Sequence, residues 1–125
     1  MSLGCPFCAI APTEYFASSE FAIAFYDRYP ISPEHTLVIP RRHVASIFEL
    51  SVSELGDLWQ LVAKVRIQLI ATTNVFSFNI GVNDGMAAGQ TVMHAHIHVI
   101  PRRNGDVIDP RGGVRWVIPE KARYW

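Results

Sequence analysis

The segment His94-Ala95-His96-Ile97-His98-Val99-Ile100 places three of the five histidines of the chain at every second position. Side chains of a β-strand point alternately to its two faces. A strand over residues 91–101 would therefore carry the three imidazoles on one face and the apolar residues between them on the other, against the core. Neighbouring imidazoles would lie roughly 7 Å apart, which is twice the rise per strand residue. Neutral imidazole is nucleophilic and exchanges a proton near pH 7, so the pattern predicts a site for nucleophilic or phosphate chemistry.

Two other interpretations fit the same alternation. The three histidines could lie on an exposed strand face without a function, or two or three of them could ligate zinc. The regular repetition favours a functional site over the exposed strand. Histidines without a function usually occur singly, on the surface or in the core, and not as an alternating triplet.

Three further strands are predicted from apolar, β-branched and aromatic runs at residues 21–27, 35–39 and 75–82. Polar residues, prolines or glycines at residues 28–34 and 83–90 predict loops between them. The second of these loops lacks the lysine and the spacing of a P-loop. Short links of this kind are typical of an antiparallel sheet.

One long helix is predicted after Ser51-Val52-Ser53-Glu54, which has the spacing of a capping box. It extends to about Thr72, and its apolar residues recur with helical spacing at Leu55, Leu58, Trp59, Val62, Val65 and Leu69. Prolines and glycines after Arg102 predict an irregular C-terminal arm over about residues 103–125. Together these elements predict a single antiparallel α+β domain spanning residues 1–125.

Composition restricts the function classes. Half of the 125 residues are hydrophobic and 18% are charged, as in a compact globular domain. Lysine plus arginine equals aspartate plus glutamate, at 11 each, which argues against a nucleic-acid binder that relies on a basic field. No apolar run approaches the length of a membrane span, and residues 1–4 have neither the charge nor the apolar stretch of a secretory signal. A cytoplasmic protein without a membrane or nucleic-acid partner is therefore expected.

The two cysteines form a Cys5-x-x-Cys8 pair. Thiolates at this spacing suit one tetrahedral zinc, and two histidines would complete the ligand set. A thioredoxin-type redox site would require a strand before the motif, and only four residues precede Cys5. Zinc binding and a pair of free thiols in a reducing cytosol remain as alternatives.

The chain resembles the histidine-triad family over roughly residues 5–103. The alternating histidines of residues 94–100 are similar to the signature of that family. Phe25-Tyr26-Asp27, then His35-Thr36-Leu37-Val38-Ile39-Pro40 followed by Arg42-His43, resemble its upstream motifs in order and spacing. Gly89-Gln90-Thr91-Val92 resembles its approach to the triad.

The resemblance implies an antiparallel sheet of about five strands with one long helix, in a homodimer with two-fold symmetry. It implies a hydrolase that cleaves a phosphoanhydride or phosphoramidate at the α-phosphate of a purine nucleotide conjugate, such as a diadenosine polyphosphate or adenosine phosphoramidate. A nucleotidyltransferase, or a nucleotide-binding scaffold with vestigial activity, is the alternative.

The resemblance also implies catalytic roles for four histidines. His96 would attack the α-phosphorus and become nucleotidylated, while a backbone carbonyl near His94 holds its other ring nitrogen. His98 would bind a phosphate oxygen and assist the leaving group. His35 would lie behind the triad and contact the first histidine, His94.

The remaining implied roles concern binding. Asn83, Gln90 and Thr91 would donate to phosphoryl oxygens, and Asp27 would accept from the two ribose hydroxyls. Phe7 and Phe25 would enclose the base. From residue type alone, Asp27 could instead cap a turn and the two phenylalanines could be ordinary core residues. A structural zinc would have four ligands, Cys5, Cys8, His43 and His94.

Overall fold

In the computed structural model, which describes residues 4–125, five antiparallel strands form one sheet that packs against one long helix. The expectation about a secretory signal therefore rests largely on residues outside the described range. The elements in chain order are β1 (Tyr15–Ser18), β2 (Ala22–Tyr26), β3 (Thr36–Pro40), α1 (Val52–Thr73), β4 (Ser77–Val82) and β5 (Ile97–Arg102). The sheet order is β1-β2-β3-β5-β4, so β5 lies between β3 and β4. The predicted α+β architecture is confirmed.

Helix α1 begins at the predicted capping box. The Ser51 hydroxyl accepts from the Glu54 amide at 3.1 Å, and the Glu54 carboxylate accepts from the Ser51 amide at 3.0 Å. The helix ends at Asn74, whose φ of 59° is left-handed. The prediction was wrong for Trp59, which is 41% exposed, because the side facing the sheet is formed by Leu58, Leu61, Val62, Val65 and Leu69.

The two faces of the sheet have different partners. Ala95, Ile97 and Val99 pack in the core beneath α1, as predicted for the apolar positions of the histidine segment. On the opposite face, a smaller apolar cluster of Ile23, Phe25, Leu37 and Ile39 is covered in part by residues of the N-terminal segment. Helix α1 does not cover this second face, so it is the face on which a cavity can form.

Strand β5 is shorter than predicted. It begins at Ile97, six residues after Thr91, because the Ala95 amide donates to the carbonyl of Val44 at 2.7 Å and does not enter the ladder with β3. His94 and His96 therefore lie in the segment that leads into the strand. His35 likewise precedes β3, and β1 was not predicted from the sequence.

The segment after β5 is the predicted irregular arm. Its regular structure consists of two short 3₁₀ helices, Gly113–Val117 and Pro119–Lys121. A Cβ at Gly113 would lie 3.1 Å from the Asn79 side-chain nitrogen, so the arm approaches β4 closely at this point. Among the described residues, no helix has the length and apolarity needed to cross a membrane.

Candidate active site

His96 is held by a single hydrogen bond that determines its tautomer. Its Nδ1 lies 2.8 Å from the carbonyl oxygen of His94. A carbonyl can only accept, so Nδ1 carries the proton and Nε2 keeps its lone pair. The expected backbone carbonyl near His94 is thus present. The His96 side chain is buried but borders a cavity, so a ligand in the cavity could contact the free Nε2.

His98 is oriented by His35. The Ile31 amide donates to His35 Nδ1 at 3.2 Å, which leaves the proton of His35 on Nε2. That nitrogen lies 2.9 Å from His98 Nδ1, so His98 accepts on Nδ1 and carries its own proton on Nε2. The prediction that His35 contacts His94 was wrong: it contacts the third histidine, because His94 has turned towards the cysteine pair.

Asp27, His35 and His98 have nitrogen and oxygen atoms close enough together to suit a metal ion. The hydrogen bonds argue against that use, because His35 Nε2 carries a proton and offers no lone pair. Instead, the Asp27 Oδ2 atom lies 3.5 Å from this nitrogen. The three residues therefore form a polar chain that ends on the Nε2–H group of His98.

Burial favours the neutral form of the His35 and His98 imidazoles. It lowers the pKa of His98 to about 4, and the neighbouring His96 and His35 lower it further as potential positive charges. Burial also lowers the pKa of His35, with Asp27 acting in the opposite direction. The ring centroids of His96 and His98 are 5.1 Å apart, closer than the predicted spacing, because His96 precedes the regular strand.

A cavity of about 400 Å³ lies over His96 and His98. Its aromatic wall is formed by Phe7 and Phe25, which meet edge to face at a centroid distance of 5.6 Å. Phe7 also contacts the His96 ring at 5.1 Å. Phe25 is buried in the smaller apolar cluster as well, so the core and the cavity-wall interpretations both hold for it.

Asp27 caps a turn and also borders the cavity. Its Oδ1 accepts from the Tyr29 amide at 2.9 Å, which caps the turn after β2. The same side chain borders the cavity, and its Oδ2 points to the His35–His98 pair. The turn cap therefore fixes the carboxylate at the cavity edge.

Of the three predicted phosphate donors, Asn83 and Thr91 border the cavity. Gln90 is buried and its amide is fully used. Its Nε2 donates to the carbonyls of Ala45 at 2.8 Å and Val92 at 3.0 Å, and its Oε1 accepts from the Gly85 amide at 2.9 Å. Through these bonds, Gln90 holds the loop at residues 83–91 against the rest of the domain.

The predicted metal ligands Cys5, Cys8, His43 and His94 lie within 4.8 Å of one another. His94 Nε2 donates to the Pro40 carbonyl at 2.8 Å, so its Nδ1 lone pair faces the cluster. The Nδ1 atoms of His43 and His94 are 3.2 Å apart. The Cys8 Sγ atom lies 3.2 Å from His43 Nδ1, and the Cys5 Sγ atom lies 3.6 Å from His94 Nδ1. Tetrahedral zinc requires about 3.3 Å between nitrogens and about 3.6 Å between nitrogen and sulfur. The residues fit a zinc ion.

A family model described as HIT domain matches residues 10–105. The chain belongs to the HIT domain family. The bifunctional bis(5'-adenosyl)-triphosphatase/adenylylsulfatase of Arabidopsis thaliana is 40% identical over 97 residues, covering 78% of this chain and 54% of that protein. The asymmetrical bis(5'-nucleosyl)-tetraphosphatase of Schizosaccharomyces pombe is 42% identical over 94 residues, covering 75% and 52%. The chain spans about half the length of these relatives.

Solved structures of HIT proteins share the fold. A zinc-bound histidine triad family protein from Mycobacterium smegmatis superposes with a TM-score of 0.75 at 33% identity, covering 85% of this chain and 80% of that chain. A HIT family protein from Bacillus anthracis gives a TM-score of 0.76 at 34% identity, with 85% and 78% covered.

Part of the cavity lining of this HIT domain was not predicted from the sequence. Ile10 and Leu37 add apolar surface beside Phe7 and Phe25, and Tyr29 also borders the cavity. The alternation within β3 places Leu37 on the cavity face, so that residue could have been found. Ile10 lies in an irregular segment and carries no periodic signal.

Proposed function

We propose that this HIT-family chain hydrolyses nucleotide conjugates at the α-phosphate, with His96 as the nucleophile. The observation that carries the proposal is the 2.8 Å hydrogen bond from His96 Nδ1 to the His94 carbonyl, which leaves Nε2 unprotonated beside the cavity. The named activities of the two relatives support the reaction class, since both act on nucleotide polyphosphates.

In the first step, the His96 Nε2 lone pair attacks the α-phosphorus. The bond from phosphorus to the leaving oxygen or nitrogen breaks, and its electron pair departs with the leaving group. A leaving nitrogen takes up a proton from solvent and departs as ammonia. The histidine then carries positive charge, and the His94 carbonyl stabilises the Nδ1–H of this ring. The product of the step is a nucleotidyl-His96 intermediate.

Neutral donors stabilise the charge that spreads over the phosphoryl oxygens. The Nε2–H of His98 is one, because His35 holds the opposite nitrogen as an acceptor. Asn83 and Thr91, which border the same cavity, supply others. Water then attacks the phosphorus, and the P–Nε2 bond breaks with its electron pair returning to His96 Nε2. The attacking water loses a proton to solvent, and the nucleoside monophosphate leaves.

The rest of the cavity suits a nucleoside. Phe7, Phe25, Ile10 and Leu37 offer an apolar and aromatic enclosure for the base. Asp27 at the cavity edge offers carboxylate oxygens to the ribose hydroxyls. Gln90 contributes through the loop that carries Thr91.

The Cys5, Cys8, His43 and His94 cluster would hold a zinc ion with all four positions filled, which makes the ion structural. A bound zinc ion would connect the N-terminal segment, through Cys5 and Cys8, to the histidine segment, through His94. In this arrangement His94 keeps its carbonyl free for His96. Thiolate ligation also supports a reducing, cytoplasmic location, since an oxidising compartment favours a disulfide between the two cysteines.

A homodimer is part of the proposal. Strand β4 is an edge strand, and an unpaired edge offers backbone groups to another chain. The exposed side of α1 carries Val52, Trp59 and Ile67. Sedimentation equilibrium should give twice the monomer mass, and a monomer at micromolar concentration would contradict this part.

Trapping the intermediate tests the reaction. The wild-type protein and the His96→Asn and His98→Ala variants are mixed with adenosine phosphoramidate, quenched without acid and examined by peptide mass spectrometry. We expect an adenylyl adduct on His96 in the His98→Ala variant, where its breakdown is slowed, and none in His96→Asn. An adduct on another residue contradicts the assignment. Tight AMP binding without turnover or adduct would instead support the scaffold alternative.

A further inference from the structure

Phe7 lies between the two cysteines of the cluster in sequence and also forms part of the cavity over His96 and His98. The centroid of its ring is 5.1 Å from that of His96 and 6.0 Å from that of His94, and it meets both rings edge to face. Pro6, the other residue between the cysteines, borders the same cavity. The residues that separate the two sulfur ligands therefore belong to the wall against which a base would pack.

The cysteine pair supplies the polar contacts that attach the N-terminal segment, residues 4–10, to the rest of the domain. Cys8 Sγ lies 3.2 Å from His43 Nδ1. Cys5 Sγ and Cys8 Sγ each lie 3.6 Å from His94 Nδ1. Within the described part of the chain, no backbone hydrogen bond joins this segment to a strand or to the loops around the cavity. The position of the segment therefore depends on the cluster and on apolar packing.

The apolar packing of the segment is partial. Phe7 and Ile10 lie against the smaller apolar cluster of the sheet, and both remain half-buried. Phe7 meets Phe25 edge to face at 5.6 Å. Apolar contact is non-directional, so it keeps the segment near the sheet without fixing the angle of the Phe7 ring. Four ligands around one tetrahedral ion would fix the backbone on both sides of that ring.

The candidate nucleophile does not depend on the cluster in the same way. The His94 ring is fully buried, and its Nε2 donates to the Pro40 carbonyl at 2.8 Å without any contribution from the cysteines. The His94 carbonyl that accepts from His96 Nδ1 is main chain. A change at the cluster would therefore displace the aromatic wall while His96 and its proton stay in place.

The cluster is also open to solvent. A cavity of about 290 Å³ borders Cys5 and His43, and it shares Pro6, Thr91 and Val92 with the cavity over the histidines. An ion can therefore reach the ligands from this side while the sheet remains folded.

We propose that metal binding at the cluster and nucleotide binding in the cavity are coupled through Phe7, so that zinc controls the affinity for the base. The inference rests on the proposed function. Occupation of the cluster holds residues 5–8 in the turn that presents Phe7 to the cavity. Coupling between two binding sites is reciprocal. A base packed against Phe7 must therefore tighten zinc binding by the same factor by which zinc tightens nucleotide binding.

Calorimetry with AMP and with ribose 5-phosphate measures the coupling. Ribose 5-phosphate keeps the sugar and the phosphate of AMP and lacks the base. Both are titrated into the zinc-loaded protein and into chelator-treated protein that circular dichroism shows to be folded. We expect zinc to tighten AMP binding about tenfold, which is within the usual range for coupled sites, and to leave ribose 5-phosphate within about twofold. The Kd for zinc, from competition with a chromophoric chelator, should fall about tenfold in saturating AMP.

Phe7→Ala tests the route without removing the metal. The zinc-loaded variant should bind AMP about as weakly as the zinc-free wild type, and it should still carry zinc in metal analysis. Its AMP affinity should no longer change on chelation. Ile10→Ala is the matched control, because Ile10 borders the same cavity from the same segment but lies outside the cysteine pair. It should bind AMP more weakly and keep the zinc dependence.

Each outcome decides between the proposals. If AMP binds equally with and without zinc, or if ribose 5-phosphate weakens as much as AMP, the coupling is refuted while the nucleotide site stands. Absence of zinc binding, or a zinc dependence that persists in Phe7→Ala, also overturns it. If chelation unfolds the chain, the zinc Kd decides: saturating AMP must lower it in wild type and Ile10→Ala and not in Phe7→Ala. If zinc-loaded wild type binds no AMP, the proposed function itself fails.

Discussion

Backbone groups determine which nitrogen carries the proton in three of the four histidines of the site, and His35 in turn determines it in His98. The Pro40 carbonyl takes the Nε2–H of His94, the His94 carbonyl takes the Nδ1–H of His96, and the Ile31 amide fills Nδ1 of His35. Because each of these partners is main chain, the arrangement does not depend on another side chain being charged. Three histidines that look equivalent in spacing thus differ in the nitrogen they leave free: His94 presents Nδ1 to the cysteines, His96 keeps a lone pair on Nε2, and His98 carries its proton on Nε2.

Replacing Asp27 should separate ribose binding from turn capping. Asp27→Asn keeps an oxygen for the Tyr29 amide but loses the charge, whereas Asp27→Ala loses both. We expect both variants to weaken AMP binding by about 1.5–3 kcal/mol, the range for hydrogen bonds to a charged group. Wild type should prefer AMP over 2'-deoxy-AMP in calorimetry, and the preference should vanish in both variants. An unchanged preference in Asp27→Asn would assign the carboxylate to the turn alone.

The low pKa of His98, about 4, predicts a pH dependence of stability. The unfolded state takes up a proton near the ordinary value of 6.5, before the folded state does. The free energy of unfolding that depends on His98 is therefore at its full value above pH 6.5 and falls as the pH is lowered towards 4. Urea unfolding between pH 4 and 8 should show a shallower decline for His98→Gln than for wild type, since the variant lacks this proton. Parallel declines would show that His98 titrates alike in both states.

At the scale of elements, the loop at residues 83–91 depends on Gln90. Gln90→Leu leaves the Gly85 amide and two carbonyls without their partner, and each buried unsatisfied group costs about 1–3 kcal/mol. We expect lower stability in urea and a lower kcat, because the loop that carries Asn83 and Thr91 loses its brace. Gln68→Leu, on the exposed side of α1, is the matched control and should change neither quantity. A loss of kcat with wild-type stability would instead indicate a direct phosphate contact by Gln90.

Elements were predictable from sequence where a repeating pattern was long. The capping box and the apolar spacing predicted α1 to within one residue at each end. The start of β5 was not predictable, because alternation continues back through residues 91–96 while the Ala95 amide bonds to Val44 instead. Strand β1 has four residues with mixed exposure and gives no period. The contact of His35 with His98 depends on register between β3 and β5, which a single sequence does not specify.

At the scale of the molecule, the main hydrophobic core and the candidate site lie on opposite faces of the sheet. Helix α1 covers one face, and both ends of the chain border the other: the N-terminal segment beside His96 and the arm beside Ile100. The composition predicted a compact domain but not this division, since it depends on where the irregular segments lie. The arm in particular has no periodic pattern, so its close approach to β4 could not be predicted from the sequence.

The cluster of Cys5, Cys8, His43 and His94 provides the last prediction, because it brings two residues of the N-terminal segment next to the histidine segment. We expect about one zinc per purified chain, by the four-ligand composition of structural sites. At free zinc about 1,000 times above Kd, binding contributes about 4 kcal/mol to folding, so chelation should lower the unfolding midpoint. Cys8→Ser should lose both zinc and this stabilisation. His98→Gln, a histidine change outside the cluster, should retain one zinc by metal analysis. A zinc-free protein of undiminished stability would leave the cysteines as free thiols, and His94 would then need another reason to face away from the cavity.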